Sequence, residues 1–158
     1  MKAVRHTGIV IRNMDKSLHF YRDLLGFKIV KKMEEAGSYI STVCGISGIQ
    51  VTTIKMTADD SNLIELLFFH NPAPRMHENN ELNDAGYSHI ACTVENIDAE
   101  YARLTGAGIH FNSTPQISPD GYAKVAFCRD PDGNYIELVE VLTDVSHKKK
   151  EGYYESMF

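Results

Sequence analysis

The sequence predicts an α+β fold of two tandem βαβββ modules, and three observations carry that reading. The first is a repeated phrase. "DSNLIELLFF" at residues 60–69 and "DGNYIELVEV" at residues 132–141 each run from Asp through Asn to Ile-Glu-Leu inside an apolar stretch. The second is a repeat of what precedes it. "HTGIVIRNMDKSLHFYRDLLGFKI" starts at His6 and "HIACTVENIDAEYARLTGAGIHF" at His89, an offset of 83 (89 − 6) that also aligns Asn13 with Asn96 and Asp15 with Asp98. The Glu-bearing strands align at 72 (137 − 65), so the first copy holds about eleven extra residues (83 − 72) between helix and last strand, where a loop can absorb them. The third is the polar, proline-broken "HNPAPRMHENNELNDAG" between the copies, which reads as a linker.

A β-rich run (residues 6–11 and 89–94) opens each copy, and Asn13 and Asn96 follow as helix N-caps. Leu18, Tyr21 and Leu25 share one helix face in the first copy, as do Ile97, Tyr101 and Leu104 in the second. Gly26 and Gly108 close the helices. The strands expected next are "KIVKKME", "SYISTVC", "QVTTIKM" and "NLIELLFF" in the first copy. In the second they are "IHFNS", "YAKVAFCR" and "NYIELVEV", with the turn "DPDGN" ahead of the last. Residues 1–70 and 86–145 are thus the two modules, 71–85 the linker and 146–158 a tail, within one structural domain whose sheets face one another or curve into a shared cleft.

Composition narrows the function. A chain of 158 residues with 43% hydrophobic content can build a real core. A formal charge of −5 and a pI near 5.8 argue against nucleic acid as a partner, which calls for a basic face. Charges interrupt the N-terminal "MKAVRHTGIVIRN" too early for a signal peptide, and no apolar run reaches membrane-spanning length. Cys44, Cys92 and Cys128 have no metal-type spacing and read as reduced, mostly buried thiols of a cytoplasmic protein.

Glu65 and Glu137 then need a reason. Side chains alternate along a strand, so Glu65 shares a face with Leu63 and Leu67, and Glu137 with Tyr135 and Val139. An ionised carboxylate on a covered face costs several kcal/mol unless it is paired or coordinates a cation. Each copy also begins with a histidine, so His6, Glu65, His89 and Glu137 stand at equivalent places in two equivalent modules. Pseudo-twofold packing would bring all four to one point. Two imidazoles and two carboxylates suit one divalent ion such as Ni, Zn, Co, Mn or Fe(II), with water at open positions. Calcium would want more oxygen, and a structural zinc would want cysteine. Taken singly, each residue has an ordinary explanation as a hydrogen-bonded or solvent-facing group; their repetition in register favours ligands.

This arrangement resembles the vicinal oxygen chelate superfamily, which includes glyoxalase I, methylmalonyl-CoA epimerase, bleomycin and fosfomycin resistance proteins and extradiol dioxygenases. The resemblance runs from "HTGIVIRNMDKSLHFYRDLLGF" to "FCRDPDGNYIELVEV", and "DPDGNYIEL" is its most specific stretch. It implies paired modules forming a cupped, open β-sheet barrel with helices outside and a metal in the cup, often in a homodimer that sometimes completes the cup across subunits. The four ligand positions match those of glyoxalase I. Two of that enzyme's glutathione-holding positions do not: an Arg is replaced by Val10 and an Asn by Phe69, which argues against a glutathione-bound substrate. The epimerase has Gln where Glu65 stands and a base on the middle strands, for which "SYISTVC" offers only Ser38, Tyr39, Ser41 and Thr42. Extradiol dioxygenases use two His and one Glu, leaving Glu65 unexplained.

The expected function is that of a lactoylglutathione lyase-like lyase or isomerase, moving a proton through an enediolate on a small oxygen-rich substrate. Glu137 is the expected ligand and general base, Glu65 its counterpart, and His6 and His89 are ligands only. The alternatives are an epimerase, an Fe(II) dioxygenase and a small-molecule-binding or resistance protein of the same fold. Val10, Phe68, Phe69 and Phe127 are candidates for a pocket wall, with a plain core role as the simpler reading. Ser118, Asp120 and Tyr122 could touch substrate or merely form a turn, and His70, Arg75 and His77 are placed in the linker. His19 and His110 have no evident partner, and the tail "HKKKEGYYESMF" could dock its aromatic end on the body or on a dimer mate.

Overall fold

Parallel pairing of the first strand with the last organises each repeat. The computed structural model describes residues 2–58, 60–75 and 81–142. It divides into two compact units, Met1–Asn80 with Asp130–Gly133, and Glu81–Arg129 with Asn134–Phe158. The tail and His77 lie outside the described residues.

The first unit runs β1 (Thr7–Ile11), α1 (Met14–Leu18) continuing into a π-helical stretch (His19–Leu24), β2 (Lys28–Ala36), α2 (Ser38–Cys44), β3 (Gln50–Thr57) and β4 (Leu63–Asn71). The second runs β5 (His89–Thr93), α3 (Ile97–Gly106), β6 (Gln116–Ile117), β7 (Ala123–Arg129) and β8 (Tyr135–Val141). The sheets have the orders β1-β4-β3-β2 and β5-β8-β7-β6, so one topology is used twice. In both, the first strand is parallel to the last and the other pairings are antiparallel. The α+β architecture of two tandem modules is therefore the one the repeat predicts.

The caps form as expected. The side chain of Asn13 accepts from the amide of Lys16 at 2.9 Å, and that of Asn96 from Ala99 at 2.9 Å. Asp15, Asp98 and Glu100 sit in the first turns, where the helix dipole favours negative charge. Gly26 and Gly108 adopt φ of 79° and 85°, the left-handed conformation that closes a helix. The first helix departs from the expected face. Ser17, Phe20 and Tyr21 are its buried residues, while Leu18 and Leu25 are half-buried, because the wider π-helical turn rotates the apolar stripe.

Alternation in the strands gives each sheet two chemically distinct faces. Ile9, Ile11, Ile54, Met56, Ile64 and Leu66 are buried on one face of the first sheet and form its core with Phe20 and Tyr21. In the second unit Ala126, Cys128, Ile136 and Leu138 form the core with Ile97 and Leu104 of α3. Both glutamates project from the other face.

Several expectations are corrected. "SYISTVC" is the helix α2, bracketed by Gly37 at φ 94° and Gly45 at φ 67°, with the Ser41 hydroxyl accepting from the amide of Ile49 at 3.3 Å. These glycines close a helix that the β-branched composition had suggested would be a strand. The extra residues of the first copy are accordingly a helix and a longer β2, rather than loop. "IHFNS" contributes only one bridge, Phe111 to Cys128, and the ladder resumes at β6 beyond Pro115, which has no amide to donate. His70 belongs to β4, not to the linker. Cys128 is buried and Cys92 half-buried, but Cys44 is exposed at the end of α2.

"DPDG" is more than a turn, since Asp130–Gly133 belong to the first unit. Asp130, 6% exposed, accepts from the Tyr21 hydroxyl at 2.8 Å. Asp132 accepts from the Arg12 amide and Nε, at 3.2 and 2.8 Å, and from the Ser17 hydroxyl at 3.4 Å. Two carboxylates thus tie the turn to the start of the first helix. Tyr21→Phe is expected to destabilise the protein by about 1–3 kcal/mol, because it deprives a buried charged acceptor of a donor. Urea unfolding should show a lower midpoint at unchanged slope.

Candidate functional site

His6 and Glu65 come together because β1 pairs with β4 in the register Gly8↔Glu65. His6 lies two residues before Gly8, on the same side of the chain, and its Nε2 is 3.0 Å from Glu65 Oε2. In the second unit the register is Ala91↔Glu137, and His89 Nε2 is 3.2 Å from Glu137 Oε2. The two pairs are the same construction. A small residue, Gly8 or Ala91, stands opposite each carboxylate.

Their surroundings differ. Glu65 is 9% exposed, and its other oxygen lies 3.4 Å from Lys55 Nζ, in register across β3. Phe127 occupies that place opposite Glu137, and its ring meets His89 edge-on with centroids 5.2 Å apart. His89 Nδ1 lies 3.2 Å from the Ser88 hydroxyl, whereas His6 Nδ1 is buried without a hydrogen-bond partner among the described residues.

The donor types of each pair, though not yet a full set, suit a divalent ion. Ligand bonds of roughly 2.0–2.2 Å place adjacent donors about 2.9–3.4 Å apart, and both His–Glu separations fall in that interval. The donor set is imidazole and carboxylate, the kind that borderline divalent metals take. Each pair supplies two donors; among the described residues no group of three or more His, Cys, Asp or Glu is assembled to hold a metal.

The weaker candidates separate. Val10 is 46% exposed and, with Phe69, shares the face of Glu65; Phe69 pairs across β3 with Val51. Phe68 points to the opposite face, edge-on to His70 with centroids 4.8 Å apart, which corrects its assignment to the same wall as Phe69. Tyr122 closes a turn: the Ser118 hydroxyl donates to Asp120 at 2.5 Å and the Tyr122 amide at 3.0 Å. These bonds, the hydroxyl's foremost, hold the Asp120 carboxyl below the usual aspartate range. His19 finds a partner in Asp23 at 3.2 Å. Lys55 was missed, although its place ten residues before Glu65, matching Phe127 before Glu137, was readable once the repeat was aligned.

With the fold and both pairs in view, the class is defined. The chain belongs to the Glyoxalase/Bleomycin resistance protein/Dioxygenase superfamily, whose sequence model matches residues 3–138. It is 27% identical over 139 residues to a lactoylglutathione lyase of Haemophilus influenzae, covering 87% of this chain and 91% of that protein. It is also 27% identical over 142 residues to the lactoylglutathione lyase of Schizosaccharomyces pombe, covering 86% of this chain but only 46% of that longer protein. A solved glyoxalase family protein from Bacillus cereus superposes with a TM-score of 0.81 at 24% identity, covering 90% of this chain and 96% of that one. Among the described residues no helix is long and apolar enough to cross a membrane.

Ser118→Ala should move the titration midpoint of Asp120 upward, toward the ordinary aspartate value, as read by carboxyl NMR. The sign follows from the lowered carboxyl: what the ionised group contributes is present above the ordinary range and is lost as pH falls through the lowered midpoint.

Proposed function

We propose that this chain is a divalent-metal-dependent lyase or isomerase of the glyoxalase type, acting by proton transfer on a small oxygen-rich substrate. The observation that carries the reading is the duplicated pair, His6 with Glu65 at 3.0 Å and His89 with Glu137 at 3.2 Å, in matching register. The lyase-named relatives support it. The two pairs together would hold one ion of Ni, Zn, Co, Mn or Fe(II), drawn from one chain or from two chains of a homodimer in the cytoplasm. When bound, the ion supplies Lewis acidity toward a substrate carbonyl.

Glu137 takes the proton from the carbon next to that carbonyl and returns it to the product. It is chosen over Glu65 because Phe127 stands opposite it in the ladder, whereas a lysine, Lys55, stands opposite Glu65 and disfavours a proton there. His6 and His89 hold and orient. Phe127, edge-on to His89 and opposite Glu137, gives the carboxylate an apolar neighbour. Val10 and Phe69, on the face of Glu65, offer apolar contact and no donor for the carboxylates of glutathione, which favours a substrate without it.

Elemental analysis of purified protein should find about one transition metal per pair of His–Glu sites, hence one per chain, lost in His6→Ala and Glu137→Gln. With the metal retained by supplementation, Glu137→Gln should lower substrate C–H exchange by about 10²–10⁴-fold. A wild-type protein that takes up none of Ni, Zn, Co, Mn or Fe(II) would overturn the reading and leave a ligand-binding protein of the same fold.

A further inference from the structure

We propose that Lys55 is a substrate-recognition residue that receives an anionic group, a carboxylate or phosphoryl oxygen, beside the His6–Glu65 pair. The two units reproduce strand order, register and the His–Glu contact, and differ at this position: Lys55 faces Glu65 where Phe127 faces Glu137. The equivalent carboxylate of the second unit stands without a lysine. Glu137 is held at 3.2 Å by His89 opposite an apolar ring, so the fold accommodates the same group without an ammonium.

The lysine is also loosely held. Its Nζ lies 3.4 Å from Glu65 with the side chain 21% exposed, longer than the roughly 2.7–2.9 Å of a full charge-assisted bond. Lys31, exposed on β2, stands directly across from it in the ladder. Like charges placed opposite one another in a sheet are unfavourable by themselves, and an anion between or beside them reverses the sign. The inference rests on the proposed ion at His6 and Glu65: a cation there takes over the glutamate and repels the ammonium, which turns Lys55 toward an incoming anion. The substrate class is then a small carbonyl compound carrying a carboxylate or a phosphate, bound by the ion at one end and by Lys55 at the other.

The test uses nickel-loaded full-length protein and three chelators, acetohydroxamate and its homologues bearing a carboxylate or a phosphonate at the far end, with binding read by calorimetry. Wild type should bind at least one anionic homologue about tenfold or more tighter than acetohydroxamate, the scale of a hydrogen bond to a charged group. The preferred homologue identifies the group. That preference should vanish in Lys55→Met and Lys55→Gln and return in Lys55→Arg, with nickel content unchanged throughout. No preference in wild type, or a preference that survives both neutral variants, would overturn the proposal. So would loss of nickel from both neutral variants, which would make Lys55 a positioning residue for Glu65. Nickel is measured before any chelator is added; a wild-type protein without nickel overturns the metal reading itself, and the lysine's role with it.

Discussion

A carboxylate in the middle of an apolar strand must find a compensating group, and the parallel pairing of first and last strands supplies it. Gly8↔Glu65 and Ala91↔Glu137 are single register choices, yet each sets an imidazole 3.0–3.2 Å from a carboxylate and points both away from the packed core. A shift of one residue would turn the whole strand over, exposing Ile64 and Leu66 and burying Glu65 among the core side chains. The packing that stabilises the sheet and the geometry that defines the site are therefore set by one constraint. Hydrophobic burial on one face holds the donors in place on the other.

Duplication makes departures from symmetry informative. Lys55 against Phe127 is a chemical difference at equivalent places, and it gives the two glutamates different surroundings within the same construction. The extra residues of the first copy are a structural difference: β2 has nine residues where β6 has two, and α2 has no counterpart. Both differences leave the registers of first strand with last the same at Glu65 and Glu137.

The turn before β8 shows a residue pattern with two functions. Gly133 at φ 91° makes the reversal possible, while Asp130 and Asp132 bind Tyr21, Arg12 and Ser17. The segment thus joins the first unit although it is written in the second repeat. "DPDG" looks like turn chemistry alone in one dimension, since Asp is a common turn residue for purely local reasons.

Much of the protein was determined by the sequence alone. Two repeats with aligned His, Asn and Glu dictate the topology, the caps at Asn13 and Asn96 and the left-handed closures at Gly26 and Gly108, because these depend on periodicity and on chemistry within a few residues. Alternation likewise puts Glu65 and Glu137 on the faces opposite Ile64 and Ile136. What only the tertiary structure decided lies across strands or between distant segments. It made α2 a helix, since bracketing glycines outweighed β-branched propensity. It split Phe68 from Phe69, moved His70 into a strand beside Thr52, and carried Asp130 and Asp132 to the first helix. It also set Lys55 against Glu65. Register and long-range hydrogen bonds are pairings between residues ten to more than a hundred positions apart, and no local pattern in the chain specifies which partner a side chain will meet.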